Sequence, residues 1–229
     1  MRFDRENDQV TVDCAADKAL NAITESITVE AWIKHKYGNC LIVSRCDNAG
    51  QGYILGWHEQ KIRVSMQSAS SSTRIIIDTR ENAPSDCNWH HVAFSWDCKS
   101  QEIVTYIDGK LQESFIVQGQ SKSTVHEGQH RNIGLFAGPV GNFEANLVIG
   151  CRHKEEDNYD IAIAEVRLWR VPRSQNQVKV GMARRLKGNE NGLIAYWRLD
   201  DGDKNNRVAR NLVADKSSGN IQGATWFPK

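Results

Sequence analysis

The chain has 229 residues, of which 40% are hydrophobic and 25% are charged, and its formal net charge is +1. This length suits one globular domain with a substantial core, and we expect residues 1–229 to form a single domain. A near-zero net charge gives no electrostatic reason to expect nucleic acid as a partner, and no apolar run approaches the roughly 20 residues needed for membrane insertion.

Short segments of alternating hydrophobicity predict β-strands along most of the chain. In the first clear example, Ile27, Val29, Ala31 and Ile33 alternate with more polar residues and share one strand face. Further predicted strands are Gln9–Asp13, Cys40–Arg45, Gly52–Trp57, Ile62–Met66, Ile75–Thr79, Asn88–Asp97, Glu102–Ile107, Leu111–Gln118, Asn146–Gly150 and Ile161–Trp169. Frequent turn signals between them favour an antiparallel β-sandwich over alternating β/α units.

One helix is predicted near 174–186, after the last long strand. Ser174 and Gln177 have the spacing of a capping box, in which each side chain bonds to the backbone of the other. An apolar stripe with helical spacing then follows at Val178, Met182 and Leu186. We therefore expect one short peripheral helix whose apolar face packs on the sandwich.

Residues 119–145 form an unusually long segment without a clear strand or helix pattern. The segment is rich in Ser, Gln, His and Gly. Long loops in compact domains are often functional, but surface insertions are also tolerated. The sequence leaves both interpretations open.

The six cysteines favour free thiols over a set of local disulfides. Cys87 and Cys98 bracket a predicted strand whose ends lie about 30 Å apart, whereas a disulfide requires Cα atoms within about 7 Å. Cys40 and Cys46 bracket another strand and meet the same objection. Bridges between distant cysteines stay open.

Several short phrases occur in a defined order over nearly the whole chain. They include Ile27–Ile33 (ITVEAWI), Asn88–Phe94 (NWHHVAF), Tyr106–Gly109 (YIDG), Leu147–Gly150 (LVIG), Ile163–Trp169 (IAEVRLW), Tyr196–Leu199 (YWRL) and Gly223–Trp226 (GATW). Together they resemble the laminin G-like, or concanavalin A-like, jelly-roll family. The resemblance implies an all-β fold, an antiparallel β-sandwich of jelly-roll type.

Most residues of these phrases have structural interpretations. His90 and His91 lie on a predicted strand and are expected to form structural hydrogen bonds, and Asp108-Gly109 is typical of a hairpin turn. Glu165 and Arg167 are two positions apart on one strand face and are expected to pair. Four tryptophans are expected in the core: Trp32, Trp89, Trp169 and Trp197.

The resemblance implies a non-catalytic binding module that recognises glycan or protein ligands. The phrases at the C-terminal end resemble sequence that joins successive modules, so we expect the chain to be part of a larger surface or secreted protein. The first residues lack the apolar stretch of a signal peptide. A purely structural or adhesive module is the alternative, because this fold hosts many functions.

Calcium is the cofactor that the resemblance suggests, because pentraxins share this architecture and bind ligands through calcium. Asp47 and Asn48 resemble the pentraxin Asp-Asn pair. The expected second acidic cluster is replaced by basic residues, and Glu155, Glu156 and Asp157 follow slightly later. These five oxygen-bearing side chains form the predicted calcium site.

Ligand contacts are predicted at aromatic and amide side chains near strand ends. Trp57 and His58 end one predicted strand, and Asn158 and Tyr159 precede another. Sugar binding requires an aromatic face for the ring and polar groups for the hydroxyls, and we expect these four side chains to be exposed.

Glycoside hydrolysis is the enzymatic alternative. Laminarinase-like enzymes of this fold carry Glu-x-Asp-x-x-Glu on one strand, and Glu155–Asp160 matches this pattern except for Asp160 in the last place. The segment reads as a polar loop, and aspartate is one methylene shorter than glutamate. We therefore expect no catalysis.

Overall fold

The architecture is taken from a computed structural model of the chain. It describes residues 1–15, 17–21, 25–47, 50–68, 74–100, 102–118, 121–126, 145–152, 158–200, 202, 205–214 and 217–226. The strands in the first half are β1 (Arg2–Phe3), β2 (Gln9–Val12), β3 (Ser26–Tyr37), β4 (Cys40–Cys46), β5 (Gly52–His58), β6 (Lys61–Gln67), β7 (Arg74–Thr79), β8 (His90–Asp97) and β9 (Glu102–Ile107). Those in the second half are β10 (Lys110–Leu111), β11 (Ser114–Gln118), β12 (Ser121–His126), β13 (Leu147–Arg152), β14 (Asp160–Trp169), β15 (Leu193–Trp197), β16 (Val208–Ala209) and β17 (Gly219–Gln222).

The described strands form two antiparallel sheets, which confirms the predicted β-sandwich. The first sheet has the order β1-β14-β3-β8-β9-β10, with β15 also paired to β14. The second has the order β12-β11-β7-β6-β5-β4-β13-β2-β17-β16. Strands near the two ends of the chain pair with partners far away in sequence, because β1 joins β14 and β17 joins β2.

The main hydrophobic core lies between the two sheets. The alternating face of β3, from Ile27 to Ile33, is buried there as predicted. The core also takes in residues near both ends of the chain, such as Phe3 and Ala224. Burial of apolar surface on this scale is the main source of stability for such a sandwich.

The outer face of the first sheet, which carries Thr28 and Glu30, is also largely covered. Helix α2 (Gln175–Met182) and the segment that follows it lie over this face. Val178 packs there against Ala93 and Tyr106. This covering places polar side chains of β3, β8 and β14 in a buried layer under α2.

The predicted capping box of α2 is confirmed, but the helix is shorter than predicted. The Ser174 side chain accepts from the Gln177 backbone, and the Gln177 side chain accepts from the Ser174 backbone. The helix ends at Met182, and Leu186 is buried beyond it against Trp169. A second helix, α1 (Lys18–Asn21), has only four residues and was not predicted.

The hairpin turn between β9 and β10 is confirmed. Asp108 and Gly109 have φ angles of 50° and 70°, the left-handed conformation that a two-residue turn of this type requires. The prediction for residues 119–145 was partly wrong, because Ser121–His126 forms strand β12 and pairs with β11. Residues 119–120 and 127–144 lie outside the described residues.

The structure agrees with the prediction that the cysteines are free thiols. All six are free, and burial raises the pKa of Cys40 to about 12 and that of Cys46 to about 11. Thiols with such raised pKa values are poor nucleophiles at neutral pH. Among the described residues, no helix has the length and apolar character that crossing a membrane demands.

Candidate functional site

A groove on the outer face of the first sheet is the candidate binding site. It lies between strands β8, β9 and β10 and the N-terminal end of α2, with a volume of about 350 Å³. Its floor is formed by Ser95, Asp97, Glu102, Val104, Tyr106 and Leu111. Its wall is formed by Pro172, Arg173, Ser174, Gln175 and Gln177.

Strand alternation positions the floor. Glu102, Val104 and Tyr106 are two residues apart on β9, so they share one face. Asp97 of β8 is the direct cross-strand partner of Glu102. The Asp97 carboxylate caps its own turn, accepting from the Lys99 backbone at 3.0 Å, and so holds its place at the edge of the groove.

The segment before α2 is fixed to the sheet by hydroxyl groups. The backbone N–H of Arg173 lies 3.1 Å from Thr28 Oγ1 and 3.0 Å from Ser95 Oγ, and it donates to both. The Tyr106 hydroxyl donates to the Arg173 carbonyl at 3.0 Å. The wall of the groove is therefore tied to β3, β8 and β9, although it follows β14 in the chain.

The Arg173 side chain is held in the wall. Its guanidinium lies 3.8 Å from the centre of the Trp169 ring, a cation–π contact, and its Nη2 donates to the Gln177 carbonyl at 2.8 Å. Burial lowers the pKa of Arg173, while the negative charge of Glu30 opposes that shift.

A buried polar cluster lies beneath α2, next to the groove. The Trp169 indole donates to Glu30 Oε1 at 2.6 Å, and His91 Nε2 lies 3.3 Å from Glu30 Oε2. Burial opposes ionisation of Glu30, but the contact with His91 and the charges of Arg167 and Arg173 outweigh it. The pKa of Glu30 is therefore held below its ordinary value, and the carboxylate is ionised at neutral pH.

Arg167 connects this cluster to the other end of α2. Its Nη1 donates to the Gly181 carbonyl at 3.0 Å, and its Nη2 donates to the Arg184 carbonyl at 2.9 Å. A cation at the C-terminal end of a helix is favoured by the helix dipole. Arg167 Nη2 also donates to Glu165 Oε2 at 2.7 Å, which confirms the predicted pair.

The expected hydrogen bonds form at His90, whereas neither ring nitrogen of His91 has a hydrogen-bond partner among the described residues and its Nε2 lies 3.3 Å from Glu30 Oε2. His90 bonds to Asp86 and Asp108.

Two of the four tryptophans were placed wrongly. Trp169 and Trp197 are buried as predicted. Trp32 is half-buried against the ring of His91, outside the core, and Trp89, just before β8, is 39% exposed. Its place before the strand, outside the sheet, explains the difference.

Two of the four predicted ligand residues are buried, contrary to the expected exposure. Trp57 is 2% exposed because its ring stacks on His35, with ring centres 3.8 Å apart. Tyr159 is 2% exposed because its hydroxyl is held by the carbonyl groups of Arg5 and Asp8. The aromatic rings of Trp57 and Tyr159 are therefore not available for stacking against a sugar.

The other two predicted ligand residues lie at the surface of the same end of the sandwich. His58 is half-buried and Asn158 is exposed. This end also includes the turn at Gly38, whose backbone packs directly on Asn158 and Tyr159. The structure thus brings the four residues to one end of the fold, and their role in ligand binding stays a prediction.

Of the five residues of the predicted calcium site, the structure describes Asp47 alone, and the register of β4 and β13 fixes its distance from the end of β13. Asp47 follows the last residue of β4, whereas Arg152, the last residue of β13, pairs with Cys40 at the first residue of β4. These points lie about 20 Å apart along the strand. Asn48, Glu155, Glu156 and Asp157 lie outside the described residues, and the calcium site stays a prediction.

Asp160, the last residue of the glycosidase-like pattern, is engaged in ion pairs. Its carboxylate accepts two hydrogen bonds from Arg2, at 3.0 and 2.9 Å, and lies 3.4 Å from Lys36 Nζ. Burial raises its pKa, but the contacts with Arg2 and Lys36 outweigh burial and hold the pKa below its ordinary value. A general acid in a glycosidase needs a raised pKa instead.

The family is decided by comparison with family models. The model described as the concanavalin A-like lectin/glucanases superfamily matches residues 4–179, which is most of the chain. The chain belongs to this superfamily. A search of curated proteins finds no match.

Three solved structures illustrate the similarity of this fold to known proteins. A protein from Bacteroides ovatus ATCC 8483, proposed to bind carbohydrate, has a TM-score of 0.63 at 17% identity, over 97% of this chain and 60% of that one. The binding domain of botulinum neurotoxin DC, solved with rat synaptotagmin II, has a TM-score of 0.52 at 12% identity, over 76% of this chain and 39% of that one.

A third structure is the binding domain of Paraclostridial Mosquitocidal Protein 1. Its TM-score is 0.52 at 14% identity, over 68% of this chain and 36% of that one. At these identities the similarity shows the fold alone. The chain spans less than two thirds of each of the three structures.

The sequence analysis did not predict the groove, although most of the residues that line it lie in predicted strands or in the predicted helix. The floor lies on β8 and β9, and the wall lies about 70 residues later in the chain. The alternation of Glu102, Val104 and Tyr106 could have indicated the floor of the groove, because it places a carboxylate and an aromatic ring on one strand face. The predicted helix cap at Ser174 marks the position of the wall.

Proposed function

We propose that the chain is a non-catalytic module that binds carbohydrate in the groove between the first sheet and α2. The observation that carries this proposal is the groove itself. Its volume of about 350 Å³ lies at the lower end of the range typical of small-molecule sites. A site of this size accommodates one or two sugar rings, whereas a protein partner usually buries a much larger and flatter surface.

The lining of the groove supplies both kinds of contact that a sugar needs. Val104 and Leu111, which are half-buried, provide apolar surface for the carbon face of a ring. Gln175 and Gln177 offer amide groups that both donate to and accept from hydroxyls. The wall is anchored at both ends of α2, so these groups are held in place before a ligand arrives, which reduces the entropy lost on binding.

Membership of the lectin/glucanase superfamily is compatible with binding and with hydrolysis, and two observations favour binding. Asp160 is paired with Arg2 and Lys36, which disfavours its use as a general acid. The carboxylate of Asp97 in the groove accepts hydrogen bonds from its own turn on both oxygens, from Lys99 and Ser100. The Bacteroides ovatus protein is also proposed to bind carbohydrate.

We further propose that the chain works as part of a larger protein at a cell surface or outside the cell. The three similar structures described above are all longer than this chain, and two of them are binding domains. The role of calcium is a separate proposal, and glycan binding in the groove does not depend on it.

A glycan array with matched variants tests the proposal. Val104→Trp fills the groove, whereas Val208→Trp places the same side chain at an exposed position on β16. We expect wild type and Val208→Trp to bind the same glycans and Val104→Trp to lose them. Gln177→Ala, with its melting temperature measured in parallel, covers the case in which Val104→Trp does not fold.

The alternatives give different results in the same experiment. A purely adhesive module binds no glycan on the array and instead binds a protein. A glycoside hydrolase releases sugar from a β-glucan. Binding that persists unchanged in both Val104→Trp and Gln177→Ala would place the site outside the groove.

A further inference from the structure

The groove carries more negative than positive charge on the side that faces a ligand. Asp97 and Glu102 are direct cross-strand partners at the end of β8 and the start of β9. Side chains in that relationship lie on one face with Cβ atoms about 5 Å apart, so the two carboxylates are concentrated in one part of the floor.

Arg173, the cation among the groove-lining residues, is directed into the wall. Its guanidinium lies against the Trp169 ring and donates to the Gln177 carbonyl. It is also close enough to Glu30, in the buried cluster, for that carboxylate to counter its charge. Glu30 thus offsets part of the positive charge of Arg173 from behind the wall.

The charge of Glu102 extends over the rest of the floor. Tyr106 lies four residues further along the same face of β9. Burial and the negative charge of Glu102 raise the pKa of Tyr106 to about 12. The phenol therefore stays protonated and adds no charge to the two carboxylates of the floor.

We propose that the groove selects neutral and amine-bearing sugars over sugars that carry carboxylate or sulfate groups. This inference rests on the proposed function and narrows its ligand class. An anionic sugar is repelled by the charges of Asp97 and Glu102 in a site partly shielded from water, whereas an ammonium group is attracted to them and a neutral sugar is not repelled.

A metal ion fits the acidic pair less well than an ammonium group. Within the part of the chain that the structure describes, no three His, Cys, Asp or Glu side chains come together as a metal site requires. Calcium takes six to eight oxygen ligands, and the groove offers two carboxylates on one strand pair. The test is therefore run in EDTA, so that a bridging metal ion does not contribute.

Calorimetric titration with three matched sugars tests the inference. The probes are methyl β-glucoside, the methyl β-glycoside of glucosamine, and methyl β-glucuronide, which share one ring and differ in charge. We expect the amine and the neutral sugar to bind wild type at least about fivefold more tightly than the glucuronide at low salt. Added salt should reduce this preference.

Two variants assign the preference to the groove. In Glu102→Gln, we expect the ratio between neutral and anionic sugars to fall below about twofold. Glu59→Gln removes the same charge at the exposed β5–β6 turn and should leave the ratio as in wild type. If Glu102→Gln does not fold, Asp97→Asn provides a second removal of charge from the same pair.

The outcomes separate this inference from the proposed function. Glucuronide binding as tight as glucoside binding, with both lost in Val104→Trp, overturns the charge preference and leaves carbohydrate binding in place. Failure of all three sugars to bind overturns the groove as a sugar site and the charge preference with it.

Discussion

The indole of Trp169 donates a hydrogen bond of 2.6 Å to Oε1 of Glu30, and both side chains are buried. Trp169 lies at the end of β14 and Glu30 in β3, on the outer face of the first sheet. The same indole ring supports the guanidinium of Arg173 in the groove wall. One pair of residues therefore connects the centre of the sheet to the proposed ligand site.

Replacement of Glu30 by alanine is expected to lower the free energy of unfolding by about 1–3 kcal/mol, because it leaves the buried Trp169 indole without its acceptor. Urea unfolding followed by fluorescence measures the loss. Glu81→Ala, at an exposed position, should change stability by less than about 0.5 kcal/mol. A loss below about 1 kcal/mol in Glu30→Ala would contradict a structural role for the cluster.

The N-cap of α2, Ser174, is expected to contribute about 1 kcal/mol to the free energy of unfolding. Ser174→Ala removes the side chain that accepts from the Gln177 backbone, so the first turn of α2 should loosen. We expect a lower melting temperature and weaker glycan binding, because Ser174 and Gln177 both line the groove. Ser85→Ala, an exposed position before β8, is the matched control and should alter neither property.

His90 is expected to make stability depend on pH. Its Nδ1 lies 2.8 Å from Asp108 and its Nε2 lies 3.0 Å from Asp86. Burial lowers the pKa of His90, but the two carboxylates outweigh burial and raise the pKa above the ordinary value of 6.5. The stabilisation is therefore complete below about pH 6.5 and is lost as the pH rises through the folded-state pKa.

Unfolding of wild type and His90→Gln at several pH values measures this effect. We expect the free energy of unfolding of wild type to exceed that of His90→Gln by a larger amount at about pH 6 than at about pH 8. Asp86→Asn removes one of the two carboxylates and should weaken the pH dependence. If the difference in free energy of unfolding between wild type and His90→Gln is the same at both pH values, His90 stabilises the fold without its charge.

The calcium prediction is tested by thermal unfolding in calcium and in EDTA. A bound ion raises the melting temperature by mass action. We expect that any such rise survives Asp47→Asn, because Asp47 lies at the opposite end of β4 from the described residues that flank Glu155–Asp157. Its Oδ1 already accepts from the Gln51 backbone at 2.8 Å in the β4–β5 turn. A rise that Asp47→Asn abolishes would support the shared site instead.

Local signals in the sequence predicted much of the fold. The alternation of Ile27 to Ile33, the turn at Asp108 and the cap at Ser174 each depend on neighbouring residues, and the structure confirms each one. The pair of Glu165 and Arg167 was also predicted, and it forms although the register of β14 shifts between Ala164 and Arg167 and Glu165 has a φ of 54°.

The features that could not be predicted from the sequence depend on contacts between residues far apart in the chain. Trp57 is buried by His35 and Tyr159 by the carbonyl groups of Arg5 and Asp8, and no local pattern indicates these contacts. The groove likewise depends on α2 lying over β8 and β9. Sequence reasoning predicted that the helix packs on the sandwich, but not which strands it meets.

The most direct test of carbohydrate binding in the groove is a backbone amide NMR titration with the tightest-binding glycan from the array. If the proposal is correct, the largest shift changes fall on residues that line the groove, such as Val104, Tyr106 and Gln177. Largest changes at Tyr37, His58 and Asn158 would place the ligand at the other candidate end of the sandwich and contradict the groove as the binding site.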